Sequence, residues 1–239
     1  MGVYKLTLLV LFSVLLTACE SNPAQEDAAQ ASQASSEFRL ENLAKTDMDM
    51  VYDHNVRVLD QLLNRLMIKL YLRNPAYFRL SKQTAEQRAD YLLQRSTQDI
   101  VSDFDGKSSV DLIQLAFDEN FKGDRVAAFV LGLKSMLALS YNNQSEFFML
   151  DQLDPQKLYN AARNIEVAVW KLSNDRKSDG SLFLISNELQ GKTKNLSFER
   201  LFGKMIAIQD SSASLNAEST NRVIKNVLQG VAKWVFLPI

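Results

Sequence analysis

Between Val126 and Leu133 the chain carries no polar side chain, and Met136 to Leu139 continues the run after Lys134 and Ser135. A segment that is apolar on every side has no face to offer water, so it folds only where other elements surround it. Asp124 at one end and Asn142-Asn143-Gln144 at the other set a helix at about 124–141. Lys134 inside it, and a length short of the roughly 20 apolar residues a bilayer demands, make it a core helix and not a membrane span. The rest of the chain must then supply amphipathic helices to enclose it. The 8 Gly and 4 Pro among 239 residues are too few breaks for a many-turned β fold. The expected fold is all-α: an irregular multi-helix bundle of about six to eight helices around a central apolar helix.

The enclosing helices are legible from period and punctuation. Val51, Val58, Leu62, Leu66 and Leu70 form one stripe, so a first helix is expected from Thr46 or Asp47 to Arg73, stopped by Asn74-Pro75. Thr84-Ala85-Glu86-Gln87 is a capping box that opens a second helix running to about Phe104, where Asp105-Gly106 turns the chain. Ser109 caps a third, Val110 to Lys122, ended by Gly123. On the central helix Ala128 and Gly132 lie four apart, a small face where another helix can approach closely. Asp154-Pro155 starts a fifth helix, with Leu158, Ala161, Ala162, Ile165, Ala168, Val169 and Leu172 at helical spacing. Ser181–Gly191 reads equally as a buried helical turn or a short strand. Asn195 or Ser197 opens a sixth helix to about Ser211, and a seventh is expected from about Ala217 to Phe236. Leu237-Pro238-Ile239 leaves an apolar carboxyl end.

The amino terminus carries an address. One cation, Lys5, precedes an eleven-residue apolar-rich run, Leu6 to Leu16, and then the small pair Thr17-Ala18 before Cys19. The run is too short to span a bilayer and has the layout of a removable secretory signal. In Leu16-Thr17-Ala18-Cys19, a lipobox, the chain resembles bacterial lipoproteins. That resemblance implies a diacylglycerol on the Cys19 thiol, cleavage before Cys19 and acylation of the new amine. It also implies sorting to the outer membrane, with the inner membrane left open, because Glu20 and not Asp follows the cysteine. Two or three acyl chains hold a protein stably, where one does so only marginally. Ser21 to Ser36 is rich in Ala, Gln and Ser, so it is expected to be a disordered tether of roughly 20–25 Å reach. The expected organisation is a signal over 1–18, a lipidated cysteine and tether over 19–44, and one helical domain over 45–239.

Residue counts exclude several chemistries. Cys19 is the only cysteine, which leaves no internal disulfide, no cysteine metal site and no spare thiol nucleophile. His54 is the only histidine, and no Gly-x-Ser-x-Gly elbow or glycine-rich phosphate loop accompanies it. Asp103-Phe104-Asp105-Gly106 lacks the further ligands of a calcium loop. No cofactor is called for. Glu20, Glu26, Asp27 and Glu37 lie in the tether region; setting them and Lys5 aside turns the formal −1 of the chain into +2 for 38–239. That balance offers no basic face for nucleic acid.

The remaining polar signals lie within apolar helices. Arg163 and Glu166 are three apart in the fifth helix and can pair along it. An inward Arg163 would require a carboxylate such as Asp124 or Asp210, so Asp124, Arg163, Glu166 and Asp210 are the candidate polar latch. Phe121 to Val126, Leu158 to Asn164 and Leu201 to Lys204 resemble parts of uncharacterised helical lipoproteins of Gram-negative bacteria, a resemblance that carries no activity. The function expected from the sequence is therefore a non-enzymatic, membrane-anchored envelope lipoprotein that binds or scaffolds another envelope component, a protein partner foremost. The alternatives are a glycan-cleaving enzyme with a carboxylate pair, and a carrier of a lipid-like ligand in a cavity lined by Phe129, Leu133, Met136 and Leu137.

Overall fold

The structure is a computed structural model and describes residues 45–187, 195–225 and 235–239. The signal, Cys19 and the tether lie outside these residues. Among the described residues seven α-helices follow one another: α1 Asp47–Arg73, α2 Ala85–Leu93, α3 Thr97–Asp103, α4 Ser109–Leu115, α5 Arg125–Ser140, α6 Pro155–Asn174 and α7 Ser197–Thr220. Two 3₁₀ turns, Pro75–Tyr77 and Arg79–Ser81, bridge α1 to α2. Among the described residues there is no strand; an isolated bridge pairs Arg176 with Leu182, and the fold is an all-α multi-helix bundle. In the ambiguous stretch Ser181–Gly191 that bridge is the regular feature, and 188–194 lie outside the described residues.

Helix α5 is the centre. It is buried without a gap from Arg125 to Leu133, as its sequence requires. Asp124 caps it, the carboxylate accepting the Ala127 N–H at 2.9 Å. Asn142 and Asn143, both left-handed, end it. Gly132 is where α4 crosses: a Cβ there would stand 2.7 Å from the backbone nitrogen of Ile113. Lys134, half-buried, turns its ammonium to the carbonyls of Leu93 and Arg95, the free end of α2.

That contact helps explain the first correction. The expected single helix to Phe104 is two, because Ser96 and Asp99 form a new capping box and Lys134 takes the carbonyls freed by the break. The expected helix Val110 to Lys122 ends at Leu115. Beyond it the carbonyls of Ala116, Asp118 and Phe121 curl around the Arg125 guanidinium at 2.7–2.8 Å. The sixth helix does not stop near Ser211; it runs to Thr220, with Ser212 fully buried and bonded to Tyr141 and Asn55. The start expected for the seventh, Ala217, is the last turn of α7, which Asn221 closes in the left-handed region. The rest of that expected helix falls mostly on 226–234, outside the described residues.

The apolar carboxyl end is docked, not free. Gln156, Asn160 and Asn164 repeat every four residues along α6, a ladder of amides on one stripe. Asn164, fully buried, accepts the Leu237 N–H at 2.6 Å and donates to the Leu237 carbonyl at 2.8 Å. Asn160 donates to the Pro238 carbonyl at 2.8 Å, and Gln156 makes the same two-way contact with Lys225. The ladder supplies partners for the main chain of Lys225, Leu237 and Pro238, which sit in neither helix nor sheet.

Candidate functional site

The long helix α1 gives one face to the core and another to an open groove. Asp60, Gln61, Asn64, Arg65, Ile68 and Lys69 fall on that second face by helical spacing, and Asp90, Leu93 and Gln94 of α2 form the opposite wall. The groove holds about 620 Å³. The Asn64 amide donates to Asp90 at 2.7 Å and ties the two walls together. Asp60 also borders a smaller recess of about 160 Å³ between α1 and α5, floored by Leu59, Leu63 and Leu137. Crowding by the recess walls holds the Asp60 carboxyl above the usual carboxylate range, with the Lys134 ammonium opposing that shift. Along the groove Asp60 and Leu93 lie towards one end, the Asn64–Asp90 bond crosses the middle, and Ile68 and Lys69 lie towards the other.

The sequence-based latch residues fall into two places. Arg163, Glu166 and Asp210 meet where α6 and α7 pack: Arg163 bonds both Asp210 oxygens, at 2.7 and 2.9 Å, and reaches Glu166 at 3.0 Å. Its guanidinium also lies over the Tyr159 ring, 5.1 Å from the centroid. Arg163 is thus paired with a carboxylate of another helix; its side chain keeps 19% exposure and that of Asp210 keeps 41%. Desolvation lifts the Glu166 carboxyl pKa, Arg163 lowers it and Asp210 raises it again. Asp124 is elsewhere, accepting the Tyr71 hydroxyl at 2.7 Å with Arg88 at 3.5 Å. Burial raises both the Asp124 carboxyl and the Tyr71 phenol. Because two of its three partners are partly solvated, Arg163→Ala is expected to cost about 1 kcal/mol in urea unfolding. A loss of 3 kcal/mol or more would mean that the pair is drier than this geometry makes it.

The carboxylates fit hydrolysis poorly. Glu166 and Glu199 share an open groove of about 370 Å³ with Trp170 between α6 and α7. Arg163 meets Asp210, so the antiparallel pairing sets Glu166 level with about Ile206 and Glu199 level with about Asn174. They are then about two helical turns apart, roughly 10–12 Å, whereas a glycosidase pair stands about 5–9.5 Å apart. Glu166 and Asp210 are closer, but the Arg163 guanidinium fills the space between them. His54 is exposed on α1. Phe129, Leu133, Met136 and Leu137, expected to line a lipid cavity, are packed core side chains, and only Leu137 borders a described recess. Among the described residues no three His, Cys, Asp or Glu side chains gather as metal ligands, and no helix is long and apolar enough to cross a membrane.

Two groups that organise these surfaces were not singled out by sequence. Lys69 reads as an ordinary cation on the outer side of a helix, and its neighbour Arg200 is brought to it only by the packing of α7. Arg125 follows the Asp124 cap and gives no sign of pointing inward. Comparison of the chain with protein-family models, with curated proteins and with solved structures returned no match.

Proposed function

We propose that this protein is a lipid-anchored lipoprotein of the cell envelope. Cys19 holds it in the outer membrane facing the periplasm, and its helical domain binds another envelope component, a protein foremost, through the α1–α2 groove. The lipobox and the short signal support the address. The observation that carries the binding reading is the groove itself: two helices tied by Asn64 and Asp90, lined by Asp60, Arg65 and Lys69 with Ile68 and Leu93 as its apolar contacts. Such a surface recognises by complementarity. Asp90 and Glu199, held by amides, and Asp210, held by a guanidinium, are better placed for holding structure than for turnover.

Two measurements test the two halves separately. Cys19→Ser is expected to move the protein from the membrane fraction to the soluble fraction or to leave it unprocessed, because the acyl chains supply the attachment. Quantitative retention on membranes after signal removal would refute lipid anchoring. For the groove, a photocrosslinking residue at Gln61 is expected to give a discrete light-dependent adduct in intact envelopes. The same residue at exposed Lys107, outside the groove, gives none. Equal labelling from both positions would refute the groove as the binding face.

A further inference from the structure

Arg65 and Lys69 stand one helical turn apart and both line the groove, and Arg200 follows Ser197 and Phe198, the two residues that Lys69 touches, at the start of α7. Lys69 is fixed in place. Its ammonium donates to the Ser197 hydroxyl and lies 4.7 Å from the centroid of the Phe198 ring. Arg65 and Arg200 are exposed. None of the three makes an ion pair among the described residues.

Among the described residues neighbouring acids form no ion pair with these cations and instead accept amides. Glu199 accepts the Asn187 amide at 2.6 Å, and Asp90 accepts that of Asn64. Desolvation and the two guanidiniums together hold the Lys69 ammonium below the usual lysine range. Like charges placed this way oppose one another unless something else brings the negative charge.

We propose that Arg65, Lys69 and Arg200 bind the phosphate of a phosphate ester whose polar body lies along the α1–α2 groove. A carboxylate is matched by one guanidinium fork, whereas a tetrahedral oxyanion presents enough acceptor positions for three donors converging from two helices. Beyond the phosphate, Ile68 and Leu93 offer an apolar contact and Asn64 and Gln94 offer amides. The proposal rests on the reading of this groove as the binding face, and names the chemistry of its ligand.

The test uses the full chain with Cys19→Ser, so that the anchor does not decide the result. Calorimetric titration with inorganic pyrophosphate represents a soluble ester. Flotation with vesicles of phosphatidylglycerol in phosphatidylcholine represents a headgroup. The expected result is saturable binding in at least one arm, weakened about tenfold or more by Lys69→Met and by the pair Arg65→Gln with Arg200→Gln. Lys107→Gln leaves binding unchanged. The Arg65→Gln with Arg200→Gln variant is expected to melt no lower than the parent, because it relieves repulsion. Loss confined to pyrophosphate assigns a soluble ester, and loss confined to vesicles assigns a lipid headgroup. Absence of binding in both arms, or equal binding by the cation variants, overturns the proposal. If the Gln61 adduct persists in that case, the groove remains the binding face and only the phosphate is wrong.

Discussion

Arg125→Met is expected to destabilise the protein by about 3–5 kcal/mol, the range seen when a buried charge and its partners are separated. Arg125 is 5% exposed and sits in the first turn of α5. Its guanidinium donates to the carbonyls of Ala116, Asp118 and Phe121 at 2.7–2.8 Å and to Glu119 at 3.4 Å. The Phe121 and Phe183 rings flank it, with centroids 5.7 and 5.1 Å away. No carboxylate forms an ion pair with it among the described residues, so carbonyl dipoles and ring faces solvate the charge. Methionine matches the bulk of the stem and removes every donor. The carbonyls left behind then need water, each at a cost of about 1–3 kcal/mol unless the turn opens. Opening releases 116–122 and unseats Phe121, so the effects do not add. Arg125→Lys is expected to fall in between, because a single ammonium cannot reproduce a planar fork reaching several carbonyls. Urea unfolding followed by circular dichroism measures both. A methionine variant within 1 kcal/mol of the parent would show that the turn is held by something else.

How far the sequence reaches is decided by the range over which each signal acts. The Thr46 and Thr84 caps, the Asp154-Pro155 start and the apolar run of α5 are local, and each stands where its own few residues put it. The break after Leu93 was also written locally, as Ser96 followed by Asp99, but the continuing apolar spacing masks it. Lys134, forty residues on, is what makes the break comfortable. The short α4 carries no local mark at all. Nothing between Ala116 and Lys122 forbids a helix; the Arg125 side chain does, and its inward aim is a property of the packed state. The candidate site divides in the same way. Arg163 with Glu166 is a same-helix pair, readable at three-residue spacing. Asp210 was one of two partners that the sequence could not choose between, and Asp124 had its own claimants in Tyr71 and Arg88. The cluster of Arg65, Lys69 and Arg200 joins residues more than 130 positions apart, so only the docking of α7 on α1 assembles it.

Gly132→Ala is expected to lower stability by about 1–2 kcal/mol, although alanine is the better helix former by about 1 kcal/mol. The added Cβ would lie 2.7 Å from the Ile113 backbone nitrogen and from its Cγ1, and 3.0 Å from the Ser109 carbonyl oxygen. A flexible side chain could turn away from the first contact with Cγ1, but the nitrogen and the carbonyl belong to the main chain of α4. Helix α4 also has little freedom to retreat. The Ser135 hydroxyl, one turn further along α5, accepts the Ser109 N–H at 2.7 Å, and Leu112 and Ile113 are buried. Overpacking of about 1–3 kcal/mol, with the strain spread to the Ser109–Ser135 bond, therefore outweighs the gain in propensity. Hydrogen exchange gives the sharper readout. The amides of α4 are expected to lose protection in the alanine variant while those of α6 and α7 keep theirs, because the clash acts on one helix pair. A variant as stable as the parent would mean that α4 rests on α5 with slack. In that case the small face of Ala128 and Gly132 reflects tolerance and not a close crossing, and the placement of α4 must come from the Arg125 turn alone.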